Sequence, residues 1–119
     1  MRRFAERIGY ALNGLRLLII SDRHFQIHTI AFFLVVILGF FFEINSIEWV
    51  GILLISVLVF VTEAINSSIE KLSDAITMEK NPLIKQVKDI AAGAVLVAAV
   101  VAIIIGIIIF SPYFYGLIH

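Results

Sequence analysis

Long apolar stretches separated by short polar segments organise this chain. The apolar stretch Ile90–Ile109 has twenty residues and no charge, and as a helix it is long enough to span the roughly 30 Å hydrocarbon core of a bilayer. Ile27–Phe42 and Trp49–Val61 are shorter, and the second crosses a bilayer only if its helix continues through Glu63. The pattern predicts three spans, at about 27–43, 48–74 and 86–110. The second span carries polar side chains to membrane depth.

The N-terminal segment has a different pattern, because its apolar residues recur at helical spacing and its charged residues lie mostly on the other side. The apolar positions are Phe4, Ile8, Leu12, Leu15 and Ile19. Such a pattern is typical of an amphipathic helix lying in the membrane interface, here over about 2–20. The predicted fold is therefore all-α, with one surface helix and three transmembrane helices in a single domain, 1–119.

The composition supports a membrane protein and excludes several other classes. Hydrophobic residues make up 61% of the 119 positions and charged residues 15%, against about 45–50% and about 25% in soluble domains. The absence of cysteine excludes disulfides, thiol nucleophiles and thiolate metal sites. A net charge of zero gives no reason to expect a nucleic-acid partner.

The positive charges predict the orientation in the membrane. Five Arg residues precede the first span, the four Lys residues lie in Lys71–Lys88, and Glu43–Glu48 contains neither type. The positive-inside rule then places both basic segments and the N-terminus in the cytoplasm, and His119 outside. The Pro-containing loop Thr77–Leu83 is expected to end the second span, and Pro112 the third.

One helical face of the second span carries polar side chains. Positions three or four apart share a face of a helix, and here they are Glu63, Asn66, Glu70 and Asp74, which we call the carboxylate stripe. A charge deep in a bilayer costs about 2.5–3.5 kcal/mol on insertion scales, so such residues usually face a polar site. A solvated helix end would explain Asp74 and, in part, Glu70. It explains Glu63 poorly, because Glu63 adjoins the apolar run.

Two further polar groups are expected at the same membrane level. Lys88 and Asp89 open the third span, either as an interfacial anchor with an acidic helix start or, beside the stripe, as ligands of a phosphate-bearing molecule. Asp22 precedes the first span and can join a stripe carboxylate in holding Mg²⁺. His24 and His28 follow at i, i+4 spacing, which also lets both reach one metal ion. Two imidazoles without a third fixed ligand are, however, more often interfacial side chains.

Small residues recur every four positions along the third span, at Ala94, Ala98, Ala102 and Gly106. This spacing favours a close-packed face for another helix. The alternative is a general richness in Ala and Gly with no packing role.

Several short motifs occur together in this chain, and in so small a membrane protein their combination is highly specific for one protein family. The second span reads Glu63-Ala-Ile-Asn66-Ser-Ser-Ile-Glu70, with Asp74 four residues on. Asn81-Pro-Leu follows, then Lys88-Asp89-Ile-Ala-Ala-Gly-Ala-Val-Leu96, while the N-terminal helix carries Gly9-Tyr10 and Gly14-Leu15-Arg16. In these motifs, and over essentially its whole length, the chain resembles the prokaryotic diacylglycerol kinase and undecaprenol kinase family.

This resemblance implies a homotrimer in the bacterial cytoplasmic membrane that transfers the γ-phosphate of MgATP to a lipid hydroxyl at the cytoplasmic face. It makes Glu63 the catalytic base and makes Glu70 and Asp22 the metal-binding carboxylates, although the family usually has Glu where this chain has Asp22. The implied nucleotide contacts are Arg3, Tyr10, Asp22, Glu70, Glu79, Lys80, Asn81, Lys88 and Asp89. The implied lipid contacts are Arg16, Glu63 and Asn66, and Asp74 belongs to the surrounding shell.

Two segments bear on the lipid substrate. Gln26-Ile-His28 and Asn81-Pro82-Leu-Ile-Lys85 look more like the undecaprenol kinase branch, so undecaprenol is the expected substrate and diacylglycerol a possible one. One alternative is a diacylglycerol kinase proper that makes phosphatidic acid. Another, from a different class, is a non-enzymatic membrane subunit or a proton-conducting oligomer, since intramembrane carboxylates also mark proton paths.

Overall fold

The computed structural model describes all 119 residues and consists of four helices joined by short turns. The helices are α1 (Arg2–Ser21), α2 (Arg23–Phe41), α3 (Ser46–Ile76) and α4 (Pro82–Ile118). The last three are long and apolar enough to cross a membrane. The predicted fold class, an all-α membrane protein with an N-terminal helix and three spans, is confirmed.

Side-chain caps explain where three of the helices begin. The Asp22 side chain accepts a hydrogen bond at 2.9 Å from an amide in the first turn of α2, so Asp22 ends α1 and starts α2. Asn45 and Glu48 form a capping box at the start of α3. Asn81 accepts from two amides of the first turn of α4, and Pro82 occupies the first helical position. The short turns between capped ends make α2, α3 and α4 antiparallel neighbours.

The helix α4 runs further than the sequence predicts. It passes through Pro112 and ends at Ile118, so the prediction that Pro112 ends the third span is wrong. Proline removes one backbone donor, but later turns still close, with His119 N donating to Tyr115 O at 3.1 Å. Membrane helices tolerate such a single loss. The end of α3 at Ile76, before the predicted loop, is as expected.

The helix α3 is the centre of the packing. It packs most extensively against α4 and less against α2, and it contains seven of the thirteen buried residues. By contrast, α1 contains no buried residue, and its main contacts are with α2. Polar groups on α3 are therefore shielded or exposed according to their position along this one helix.

The end of the bundle farthest from Asp22 is closed by apolar and aromatic side chains, with a small core of Ile44, Ile52 and Phe110. Tyr113 donates a hydrogen bond to Glu48, which joins α4 to the start of α3. Gly39 lies so close to Trp49 that an added Cβ would sit 2.6 Å from an indole carbon. The close packing of α2 on α3 therefore leaves no room for a side chain at Gly39.

Candidate active site

A polar cavity of about 240 Å³ lies where α2 begins beside α3. Its lining contains no hydrophobic side chain and includes Asp22, His24, Ser67, Glu70, Lys71 and Asp74. The cap at the start of α2 fixes the backbone of Asp22, and helical spacing puts Glu70 and Asp74 on the facing side of α3. The structure thus brings Asp22 together with two carboxylates of the stripe in one cavity.

Glu63 lies deeper in the bundle than the rest of the stripe. It precedes Glu70 by about two helical turns, or about 10 Å along α3, and the residue is only 3% exposed. Only one basic group lies within ion-pair range of its carboxylate, and this is His28, whose Nε2 is 3.8 Å from Glu63 Oε2. Such burial is inconsistent with a solvated helix end, so Glu63 needs a different explanation from Asp74.

Asn66 connects the buried and the exposed parts of the stripe. Its Nδ2 donates to Glu70 Oε1 at 3.4 Å, while its Oδ1 is buried and has no hydrogen-bond partner. Buried polar atoms in folded proteins almost always have a partner. The Oδ1 of Asn66 is therefore an unsatisfied acceptor between the buried and the exposed parts of the stripe.

Lysines of α4 complete the polar end of the bundle. Lys88 Nζ lies 2.6 Å from Asp74 Oδ1 and so ties α4 to α3, while Lys85 Nζ lies 2.6 Å from Asp89 Oδ2 within α4. A second cavity, of about 590 Å³, lies beside Lys88 along the α3–α4 loop, and its lining includes Glu79, Lys80, Asn81, Lys85 and Lys88. Four of the expected nucleotide contacts therefore share one cavity, and Asp89 lies outside its lining.

Comparison with known proteins decides the family. Residues 9–110 match the family described as prokaryotic diacylglycerol kinase. The chain belongs to this family. It is 41% identical to the undecaprenol kinase of Bacillus subtilis (strain 168) over 112 residues, which are 94% of this chain and 91% of that protein. It is 31% identical to the diacylglycerol kinase of Escherichia coli (strain K12) over 112 residues, 94% of this chain and 92% of that protein.

A further relative is the diacylglycerol kinase of Synechocystis sp. (strain ATCC 27184 / PCC 6803 / Kazusa). It is 34% identical over 98 residues, which are 82% of this chain and 56% of that protein. The resemblance seen in the motifs is thus confirmed over nearly the whole chain.

The carboxylates of the polar cavity are of the kind that would suit the Mg²⁺ ion expected from the sequence. Mg²⁺ keeps several waters and is usually held by one or two carboxylates together with substrate phosphates. Asp22 and Glu70 offer such a pair, whereas no three His, Asp or Glu side chains lie close enough to enclose an ion by themselves. The donor set therefore fits an ion that arrives with the nucleotide.

The two histidines after Asp22 line different cavities. His24 lines the polar cavity, whereas His28 faces Glu63 and an apolar cavity further into the bundle. That both imidazoles reach one metal ion stays a prediction. The direction in which the His28 side chain points depends on how α2 packs on α3. The spacing between His24 and His28 does not reveal this packing.

The expected contacts on α1 are not brought to the stripe within one chain. Arg3, Tyr10 and Arg16 are all exposed, they line neither polar cavity, and α1 packs mainly against α2. The structure therefore unites the expected residues of α2, α3 and the α3–α4 loop, and leaves those of α1 apart.

Proposed function

We propose that this protein is an ATP-dependent lipid kinase, in a single domain over 1–119, that transfers the γ-phosphate of MgATP to the hydroxyl of a membrane lipid. The observation that carries the proposal is the position of Glu63, a buried carboxylate in the membrane-spanning part of α3, in line with carboxylates in a polar cavity. A lipid hydroxyl can reach this depth, while the nucleotide stays among the polar groups. Membership of a lipid kinase family supports the same reaction.

The residues suit phosphoryl transfer, which depends mainly on positioning and charge neutralisation. Glu63 accepts the proton of the attacking hydroxyl as general base. Asp22 and Glu70 hold the metal ion, which neutralises charge on the phosphoryl group when bound. Lys88 neutralises phosphate, and Asp74 directs its ammonium group across the α3–α4 interface.

The other expected contacts have defined roles in this proposal. Glu79, Lys80 and Asn81 contact the nucleotide in the larger cavity, and Asp89 contacts it from α4. Arg3 and Tyr10 contact it from α1, and Arg16 and Asn66 contact the lipid. The unpartnered Oδ1 of Asn66 supports its part in binding.

We propose further that the protein is a homotrimer in the bacterial cytoplasmic membrane, with both polar cavities on the cytoplasmic side. The separation of the α1 residues from the stripe supports an assembly in which a neighbouring subunit completes the site. Gly93 and Gly106 on α4 support it too, because an added Cβ at either position meets no atom within 4 Å, leaving room for close helix packing. Native mass spectrometry of the detergent-solubilised protein tests this, and a monomer or dimer overturns it.

The proposed substrate is undecaprenol, and the identity of 41% to an undecaprenol kinase supports it. Diacylglycerol is the second candidate, because relatives with 31–34% identity are named as diacylglycerol kinases. Purified protein with MgATP should be assayed with each lipid in matched micelles. A kcat/KM at least tenfold higher for diacylglycerol overturns the preference. If neither lipid is phosphorylated, the kinase proposal fails, and proton flux into vesicles then becomes the next measurement.

A further inference from the structure

His28 is the one basic residue within ion-pair range of the buried carboxylate of Glu63. It lies on α2, its side chain is 24% exposed, and its Nε2 is 3.8 Å from Glu63 Oε2. This separation is too long for a direct hydrogen bond. It is nevertheless short enough for one further atom to contact both groups.

The same imidazole lines a cavity of about 230 Å³ between α2, α3 and α4. Eight of its ten lining residues are hydrophobic, and the two polar ones are His28 and Ser56. Ala99 and Ala102 form part of the α4 wall, where their small side chains leave space. His28 thus stands between the Glu63 carboxylate on one side and an apolar cavity within the membrane-spanning bundle on the other.

We propose that His28 binds the hydroxyl of the lipid acceptor and holds it in front of Glu63, with the first part of the lipid's apolar chain in this cavity. The inference rests on the proposed lipid kinase function. Two atoms 3.8 Å apart can both lie about 2.8 Å from a third, which is an ordinary hydrogen-bond distance. A hydroxyl oxygen at that point donates its proton to Glu63 and accepts a hydrogen bond from the Nε2–H of His28.

The transfer step follows from this placement. The hydroxyl oxygen attacks the γ-phosphorus of ATP and forms a new O–P bond, while the bond from the γ-phosphorus to the β–γ bridging oxygen breaks and its electron pair leaves with ADP. The hydroxyl proton passes to Glu63. His28 neither gains nor loses a proton, and its contribution is to orient a lone pair of the attacking oxygen.

Two substitutions separate hydrogen bonding from size. His28→Leu removes the donor and keeps an apolar side chain, and we expect it to lower kcat/KM for undecaprenol about 3- to 10-fold, the loss typical of one neutral hydrogen bond. The KM for MgATP should stay within twofold. His28→Gln presents an amide N–H near the position of Nε2 and should retain activity within about twofold. His119→Gln, which removes an imidazole from the exposed C-terminus, is the matched control and should behave as wild type.

The second experiment measures competitive inhibition by a hydrocarbon that has the polyprenyl chain of undecaprenol but no hydroxyl. Its inhibition constant should be the same, within twofold, for wild type and His28→Leu, because the inhibitor has no hydroxyl for His28 to bind and Leu keeps an apolar side chain in the cavity wall. An inhibition constant that rises as much as the lipid KM overturns the proposal, since His28 then only shapes the cavity. Full activity of His28→Leu overturns it as well.

If His28→Leu does not assemble, His28→Asn takes its place. The Asn amide lies one methylene further from Glu63 than that of Gln, so the Asn variant should lose activity while the Gln variant keeps it. Equal activity of these two variants overturns the proposal. Wild-type protein without activity on either lipid points instead to failure of the proposed function.

Discussion

Replacing Glu63 by Gln tests the central residue of the site. The substitution keeps the side-chain shape at a position that is 3% exposed, and it removes the proton acceptor. Removal of a general base typically lowers the rate by about 10²–10⁴, which corresponds to about 3–5 kcal/mol of activation free energy. We expect the full effect here, because the next carboxylate on α3, Glu70, lies about 10 Å along the helix and is exposed.

The stability of the same variant separates catalysis from folding. The buried Glu63 carboxylate has only a distant imidazole as its basic partner, at 3.8 Å, and burying a poorly paired charge costs free energy. A neutral amide removes that cost. Glu63→Gln should therefore unfold at the same temperature as wild type or higher, although it has lost its activity.

The assay measures kcat for undecaprenol phosphorylation at saturating lipid and MgATP, with thermal unfolding followed in the same micelles. Glu43→Gln makes the same chemical change at an exposed position in the α2–α3 turn and should stay within twofold of wild type. Activity of Glu63→Gln within a few-fold of wild type would falsify the role of general base. A loss of activity accompanied by a lower unfolding temperature would assign Glu63 a structural role instead.

Three further changes examine the orientation, the metal and the packing. In this cysteine-free chain, an impermeant thiol reagent on intact cells should label Asn45→Cys and spare Asn81→Cys, and the opposite result reverses the proposed orientation. Asp22→Asn retains an α2 cap but removes a proposed metal ligand. It should raise the Mg²⁺ concentration for half-maximal activity without changing the lipid KM, and an unchanged Mg²⁺ titration rejects that role. Gly39→Ala puts a Cβ 2.6 Å from the neighbouring indole, against 3.6 Å from the nearest atom in Gly51→Ala. It should be less stable than Gly51→Ala by about 1–3 kcal/mol in denaturation, and equal stabilities contradict the packing.

Local patterns were sufficient to predict the helices and the stripe. Hydropathy reports burial in lipid segment by segment, and the spacing of Glu63, Asn66, Glu70 and Asp74 places them on one face of any α-helix. The effect of Pro112 could not be predicted from local pattern, because α4 continues through it. Its effect depends on how well the turns around it are held, and Tyr113, bonded to Glu48 of α3, holds them through tertiary contacts.

The contact between His28 and Glu63 could not be predicted in this way. The helix α2 is apolar almost all round, so its periodicity does not indicate which face meets α3. A polar side chain in such a helix acquires its neighbour only when the helices pack. The sequence predicted that Asp22 lies at the same depth in the membrane as the stripe. It did not predict the cavity, because the cavity also depends on the turn between α1 and α2.

The length of α3 explains how one helix can serve both a lipid and a nucleotide. Its 31 residues extend over about 46 Å, whereas a hydrocarbon core about 30 Å thick accommodates only about twenty of them. In the proposed orientation α3 begins at the outer surface, and a count of about twenty residues from Ser46 then ends the core near Asn66. Glu63 then lies just inside the apolar region and Glu70 just outside it. The seven-residue spacing between them keeps both carboxylates on one face. The proposed base can therefore act on a hydroxyl in the lipid, while the proposed metal ligand acts on a nucleotide in water.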